Sequence, residues 1–235
     1  MLPVAILAGG LATRLRPLTE TIPKALIEVN GEPFLAHQLR LLSSRGIGRV
    51  VICVGYRGEM IQKFVGDGSQ FGLRAEVLFD GPVLLGTAGA IRHALPRLGE
   101  IFFVLYGDSY LPCDYSAVAG AFSRSGMRGL MTVFLNDGKF DASNVEYHDG
   151  RIVRYDKKNR TPEMRYIDYG LGAFCAEAFA ELPEGTPCDL ASVYQGLLKD
   201  GELAALEVPD RFYEIGSSRG LEEISDYLSH PAQQP

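Results

Sequence analysis

The chain lacks the features that mark a disulfide-rich, metal-binding or membrane protein. Its four cysteines form no C-x-x-C pair, and its four histidines show no ligand spacing, which argues against a zinc site. No apolar run approaches the ~20 residues of a membrane span. The N-terminal stretch "MLPVAILAGG" lacks the basic segment of a secretory signal. Scattered cysteines are typical of buried free thiols, so we expect a reducing, cytoplasmic location.

The chain also lacks an excess of positive charge. It carries 23 Lys and Arg against 29 Asp and Glu, a net charge of −6. Broad nucleic-acid binding needs a basic field, so this balance argues against it. The chain has 235 residues, of which 46% are hydrophobic, so it is long enough to bury a full core.

Apolar strand patterns alternate with helical patterns along the chain. Strands are expected at 4–8, 49–56, 74–80, 101–108 and 130–135, and helices at 33–46, 59–65, 87–98, 115–126, 189–199 and 218–228. Thr87 is the expected N-cap of the third helix. Continuous apolar strands separated by helices indicate an α/β fold with a mostly parallel sheet that has helices on both faces.

Beyond residue 136 the strands become shorter and more polar, which favours a small antiparallel lobe beside the main sheet. We expect a single domain over 1–235. Its parts would be a mostly parallel core over about 1–135, an antiparallel lobe over about 136–215, and a closing helix and tail over 216–235.

The stretch "VAILAGGLATRLRPLTETIPKAL", residues 4–26, places a glycine pair and basic residues directly after a strand. Gly9 and Gly10 allow backbone N–H groups to turn toward one point, a nest that binds phosphate. Arg14, Arg16 and Lys24 add charge for a polyphosphate. The dinucleotide pattern G-x-G-x-x-G and the P-loop pattern are both absent. A plain turn with solvated arginines is the alternative reading.

The segments "LAGGLATRLRPLT" and "IPKALIEVNGEPFL" resemble the signature of sugar-1-phosphate nucleotidyltransferases, also called NDP-sugar pyrophosphorylases. One departure is Ala12, where the family usually has glycine. The resemblance implies a Rossmann-like, glycosyltransferase-A-like fold. It also implies nucleotide binding by Leu7, Ala8, Gly9, Gly10, Ala12, Thr13, Arg14, Tyr56, Gly86, Thr87 and Ala88.

Acidic residues in two further motifs are candidate magnesium ligands. Asp108 follows the apolar strand "IFFVLY", so it should face the ligand crevice at the carboxyl edge of the sheet. Nucleotide-bound Mg²⁺ needs only one or two protein carboxylates. Glu214, in "RFYEIGSS", stands where the resembling family often has a second metal-binding aspartate; a salt-bridged glutamate at a strand end is the alternative. The resemblance makes Arg14, Lys24 and Asp108 the catalytic residues.

The resemblance assigns sugar and sugar-phosphate contacts to the second part of the chain. Asp156 and Lys157 stand where the family often has a Glu-Lys pair, and the segment 166–174 resembles one that closes over the sugar. The expected contact residues are Lys24, Asn144, Asp156, Lys157, Asp168 and Gly170. Solvated strand residues are the alternative for Lys157 and Asp168.

The implied reaction is Mg²⁺-dependent transfer of a nucleotidyl group from a nucleoside triphosphate to a sugar 1-phosphate. The motif "GTAGA" resembles that of guanylyl- and mannose-type members, and this resemblance implies GTP and a heptose or hexose 1-phosphate. Two alternatives stay open: a uridylyltransferase for an amino sugar such as N-acetylmuramate 1-phosphate, and a regulatory homologue that binds nucleotide sugar without turnover. A homo-oligomer is possible, and neither a nucleic acid nor a membrane is an expected partner.

Overall fold

The computed structural model describes residues 1–10 and 18–230. The strands are β1 (Val4–Leu7), β2 (Glu28–Val29), β3 (Glu32–Pro33), β4 (Arg49–Val54), β5 (Arg74–Phe79), β6 (Ile101–Tyr106), β7 (Ser109–Tyr110), β8 (Gly129–Leu135), β9 (Val145–His148), β10 (Arg151–Tyr155), β11 (Tyr166–Cys175), β12 (Leu203–Glu207) and β13 (Tyr213–Glu214). The helices are α1 (Phe34–Ser44), α2 (Gly58–Val65), α3 (Gly86–Leu98), α4 (Tyr115–Ser125), α5 (Leu190–Lys199) and α6 (Ser218–Ser229).

Four parallel strands form one half of the main sheet, in the order β6-β1-β4-β5. Side chains of a strand alternate between the two faces. Val4 and Ile6 of β1 therefore pack on one face with Leu35 and Leu39 of α1, while Ala5 packs on the other face with α3. Burial on both faces is why these strands are continuously apolar.

Antiparallel pairing extends the same sheet rather than forming a separate one. The long strand β11 runs antiparallel to β6, with Leu171 opposite Leu105, and also pairs with β8 and β9. β12 adds to β8 in parallel, a strand that the sequence patterns did not predict. The expected α/β fold with a mostly parallel core and smaller antiparallel strands is confirmed, and the proposed internal boundaries stay predictions.

The expected capping role of Thr87 is wrong. Helix α3 begins one residue earlier, at Gly86, with Leu85 as its N-cap residue. The Thr87 hydroxyl instead accepts a hydrogen bond from the Leu190 backbone N–H at 2.7 Å, at the first residue of α5. Capping groups accept hydrogen bonds from the free N–H groups at a helix start. Here Thr87 of α3 provides such a group to α5.

Within residues 1–10 and 18–230, no helix is both long and apolar enough to cross a membrane.

Candidate active site

A pocket of about 300 Å³ opens at the carboxyl ends of the four parallel strands. Ligand crevices of open α/β sheets lie at this edge. Backbone hydrogen bonds hold the strand ends together there: the Ala8 N–H donates to the Cys53 carbonyl and the Gly107 N–H to the Leu7 carbonyl. The lining residues are Leu7, Ala8, Gly9, Gly10, Lys24, Ala25, Cys53, Asp80, Leu84, Gly86, Thr87, Ala90, Tyr106, Gly107 and Asp108.

Lys24 and Asp108 meet inside this pocket. The Lys24 ammonium donates to Asp108 Oδ2 at 2.5 Å, and the two side chains are 18% and 34% exposed. Lys24 begins a short 3-10 turn directly after Pro23, whose fixed φ directs the chain into the pocket. Two residues that are 84 positions apart thus form a partly buried ion pair at the sheet edge.

Glu214 lies beside Asp108 because their backbones pair. β13 runs antiparallel to β7, with Glu214 opposite Ser109, and the Ile215 N–H donates to the Asp108 carbonyl at 3.0 Å. A Cβ placed on Gly216 would lie 3.2 Å from Glu214 Oε1 and 3.4 Å from Lys24 Nζ. Glu214 and Lys24 therefore border the same small space.

This donor set suits a magnesium ion that also takes phosphate oxygens. Asp108, in the turn before β7, and Glu214, on the paired strand β13, provide two carboxylates. Mg²⁺ prefers oxygen ligands and keeps several positions for phosphate and water. The described residues contain no group of three or more His, Cys, Asp or Glu side chains arranged to hold a metal by themselves. A metal here would thus depend on the nucleotide for its remaining ligands.

Not every expected nucleotide contact lies at the pocket wall. Tyr56 donates from its hydroxyl to the Glu20 carbonyl at 3.0 Å, and the Arg57 guanidinium lies over its ring. Ala88 is buried in α3, and its N–H donates to the Cys188 carbonyl. The expected contacts Ala12, Thr13 and Arg14, together with Arg16, lie outside the described residues.

Gly86, an expected nucleotide contact, lines the pocket. Its φ is +68°, and an added Cβ would lie 2.6 Å from the Cys188 carbonyl oxygen. Glycine is therefore required by the left-handed backbone and by the close approach of the segment before α5.

The expected sugar contacts Asp168 and Lys157 lie next to Tyr106 of the pocket. Lys157 Nζ is 3.4 Å from the Tyr106 hydroxyl and 5.4 Å from its ring centroid. Asp168 accepts from the Tyr155 hydroxyl at 3.2 Å and from the Gly170 N–H at 3.1 Å. Burial raises the pKa of Asp168, against an opposing effect of the Lys157 charge. This cluster forms a polar wall beside Tyr106.

Asn144 and Asp156 help to shape this wall. Asn144 Oδ1 accepts from the Asp168 N–H at 2.9 Å and so fixes the backbone of β11. Asp156 accepts from the N–H groups of Lys158 and Asn159, both at 2.8 Å, and these bonds lower its pKa. Asp156 and Lys157 thus face different partners, although the resemblance treats them as a pair.

Sequence reasoning missed three residues at the site: Gln38, Asp80 and Tyr106. Gln38 is 1% exposed and donates to the carbonyls of Tyr106 and Ser109, so it clamps the turn that carries Asp108. The sequence signal for Gln38 was its position, because it places an amide on the otherwise apolar face of α1. Tyr106 ends β6 and Asp80 directly follows β5, and a place at a strand end is the signal that we used for Asp108 alone.

Comparison with known proteins places the chain in a family. The model of the nucleotidyl transferase family matches residues 4–225. The chain therefore belongs to the nucleotidyl transferase family, as the motif at residues 7–35 indicated.

Individual relatives are identical to this chain at about a quarter of the aligned positions. It is 28% identical over 220 residues to mannose-1-phosphate guanyltransferase beta-B of Xenopus laevis, covering 91% of this chain and 61% of that protein. It is 28% identical over 224 residues to N-acetylmuramate alpha-1-phosphate uridylyltransferase of Neisseria meningitidis serogroup B, covering 93% and 94%. The solved inositol-1-phosphate CTP transferase of T. maritima has the same fold, with a TM-score of 0.82, 23% identity and coverage of 99% and 97%.

Proposed function

We propose that this protein transfers a nucleotidyl group from a nucleoside triphosphate to a sugar 1-phosphate and releases pyrophosphate. The observation that carries the proposal is the ion pair of Lys24 and Asp108 in the pocket, with Glu214 beside it on the strand paired to β7. These three residues come from distant parts of the chain, and each was expected at the reacting phosphate. Membership of the nucleotidyl transferase family supports the same reaction class.

The reaction requires little covalent chemistry from the protein. The attacking sugar-phosphate oxygen is already anionic, so no general base is needed, and catalysis is positioning and charge neutralisation. Lys24 is held with its ammonium at the pocket end, where it would bridge the α-phosphate and the sugar phosphate. Gly10 and Arg14 would hold the β- and γ-phosphates that leave.

Asp108 and Glu214 would hold the magnesium ion. When bound, Mg²⁺ neutralises charge on the phosphoryl oxygens of the nucleotide. Gln38 keeps Asp108 in place through its two hydrogen bonds to the flanking backbone. Lys157 and Asp168, which lie beside Tyr106 of the pocket, would contact the sugar and its phosphate.

We favour GTP as the nucleotide and a heptose or hexose 1-phosphate as the acceptor. The segment Gly86–Ala90 supports this choice by its resemblance to guanylyl-type members, and the Xenopus laevis relative is named as a mannose-1-phosphate guanyltransferase. The second candidate is a uridylyltransferase for N-acetylmuramate 1-phosphate. The Neisseria meningitidis relative, which matches over 94% of its own length, carries that name and favours it.

A substrate matrix tests the proposal. Purified protein with Mg²⁺ is incubated with each of GTP, UTP, CTP, ATP and dTTP against a panel of sugar 1-phosphates, and pyrophosphate release is measured. We expect release to require both substrates and to be greatest with GTP. Nucleotide binding without release in any combination would point to a regulatory protein and contradict the proposed reaction.

Two variants connect the activity to this site. Lys24→Ala and Asp108→Ala should each lower turnover roughly a hundredfold or more, because each removes charge placed at the reacting phosphate. Lys63→Ala, at an exposed position on α2, is the matched control and should keep normal turnover. Near-normal turnover in either site variant, with the fold intact by circular dichroism, would refute the assignment of that residue.

A further inference from the structure

Asp80 places a carboxylate in the pocket at the end remote from Lys24 and Asp108. It follows β5, whereas Asp108 follows β6, and the strand order puts β1 and β4 between them.

The floor beside Asp80 carries no side chains. A Cβ on either Gly9 or Gly55 would lie 3.5 Å from Asp80 Oδ2, and the Gly9 and Gly55 backbones approach each other closely. Leu84, which is 40% exposed, lies next to Gly55 and forms an apolar rim. A flat surface with an apolar rim and one charged group suits a planar heterocycle.

Among the residues that the structure describes, the Asp80 carboxylate finds only part of its possible hydrogen bonds. Oδ2 accepts from the Leu85 N–H at 3.1 Å, and no group among residues 1–10 and 18–230 donates to Oδ1. Burial raises the pKa of Asp80, while the Leu85 hydrogen bond and the nearby His93 act in the opposite direction. A half-buried carboxylate in this position gains from a ligand that brings N–H donors.

We infer that Asp80 selects guanine by accepting hydrogen bonds from the N1–H and 2-amino groups of the base. This inference rests on the proposed function and names the residue that decides its nucleotide. Guanine alone among the common bases presents two adjacent donors on one edge, which match the two oxygens of a carboxylate. Uracil and thymine present one N–H between two carbonyl oxygens, and those oxygens would be repelled by the carboxylate.

The 2-amino group of guanine gives a direct test, because inosine triphosphate lacks it and is otherwise the same as GTP. Binding of GTP and ITP, each with Mg²⁺ and without sugar phosphate, is measured by titration calorimetry on the wild-type protein and on Asp80→Asn. We expect the wild-type protein to bind GTP about 10- to 100-fold more tightly than ITP. In Asp80→Asn the two should bind within about threefold of each other.

The control is Asp149→Asn, which makes the same chemical change in the exposed turn between β9 and β10 and should leave the GTP-to-ITP ratio as in the wild type. If Asp80→Asn does not fold, Asp80→Ala is measured in the same way. A GTP-to-ITP affinity ratio near one in the wild-type protein would overturn the inference. An unchanged ratio in the Asp80 variant would overturn it as well.

Failure of the proposed function is seen separately. If no sugar 1-phosphate supports pyrophosphate release while GTP still binds in preference to ITP through Asp80, the reaction is wrong and the base selection stands. If pyrophosphate is released with UTP in preference to GTP, the reaction stands and the role of Asp80 is overturned.

Discussion

Charged side chains at this pocket are held by one another and by the backbone. Asp168 shows the principle most clearly, because it lies among tyrosines and next to Lys157, with both carboxylate oxygens hydrogen-bonded. Burial raises its pKa more than Lys157 and the two hydrogen bonds lower it. The folded protein therefore binds a proton at Asp168 more tightly than the unfolded chain does.

Ionisation of Asp168 should lower the stability of the protein as pH rises. A carboxyl group whose pKa is raised on folding favours the folded state at low pH, and this contribution is lost as pH rises through the folded-state pKa. We expect wild-type stability, relative to Asp168→Asn, to fall between about pH 4 and neutrality. Urea unfolding of both proteins across that range measures the difference.

Asp149→Asn, in an exposed turn, reports the general effect of removing one carboxylate and serves as the control. A wild-type stability that rises relative to Asp168→Asn over the same pH range would show that the Lys157 charge outweighs burial.

At the scale of single elements, the start of α3 depends on a loop about a hundred residues further along the chain. The Ala88 N–H donates to the Cys188 carbonyl at 2.9 Å, and the Cys188 N–H donates to the Leu85 carbonyl at 2.9 Å. Thr87 in turn accepts from Leu190 at the start of α5. The two helix starts thus stabilise each other, and both border the pocket.

Gly86→Ala should destabilise the protein by about 1–3 kcal/mol, because alanine resists a φ of +68°. Its Cβ would also meet the Cys188 carbonyl oxygen at 2.6 Å, so α3 must shift from α5. Urea denaturation monitored by circular dichroism measures the loss.

The matched control is Gly196→Ala in the middle of α5, where nothing lies within 4 Å of an added Cβ. Alanine there should be neutral or stabilise by about 0.5–1 kcal/mol, since it is the better helix former. Equal stability of the two variants would contradict the structural role of Gly86.

For the whole molecule, one sheet joins the parallel and antiparallel parts. β6 pairs with β1 on one side and with β11 on the other, so β6 cannot separate from either without breaking a ladder of hydrogen bonds. Continuous buried side chains cover both faces across this junction. The two parts should therefore unfold as a single cooperative unit.

Hydrogen exchange tests this cooperativity. Amides of β1 (Val4–Leu7) and of β11 (Tyr166–Cys175) should exchange with the same opening free energy, because both require global unfolding. Peptide-level mass spectrometry under native conditions measures both. Exchange of β11 well before β1 would show that the antiparallel part opens as an independent unit and would support the internal boundary that we predicted near residue 136.

Local sequence determined the elements and the chemistry of their ends. The apolar runs of β1, β4 and β6 predicted buried parallel strands, since strands covered on both faces have no polar alternation. Asp108 was found because it follows such a strand. The glycine and basic pattern between residues 9 and 24 predicted an anion site and, by resemblance, the family.

Tertiary structure alone decided which residues meet. Pairing of β13 with β7 sets Glu214 beside Asp108, and no local pattern encodes a contact between two-residue strands about a hundred positions apart. For the same reason, the sequence did not reveal that the Gln38 amide reaches the turn that carries Asp108. Nor did it reveal that Thr87 caps α5 rather than its own helix. Periodicity fixes which face of an element is buried, whereas packing of distant elements fixes which polar groups find each other across that face.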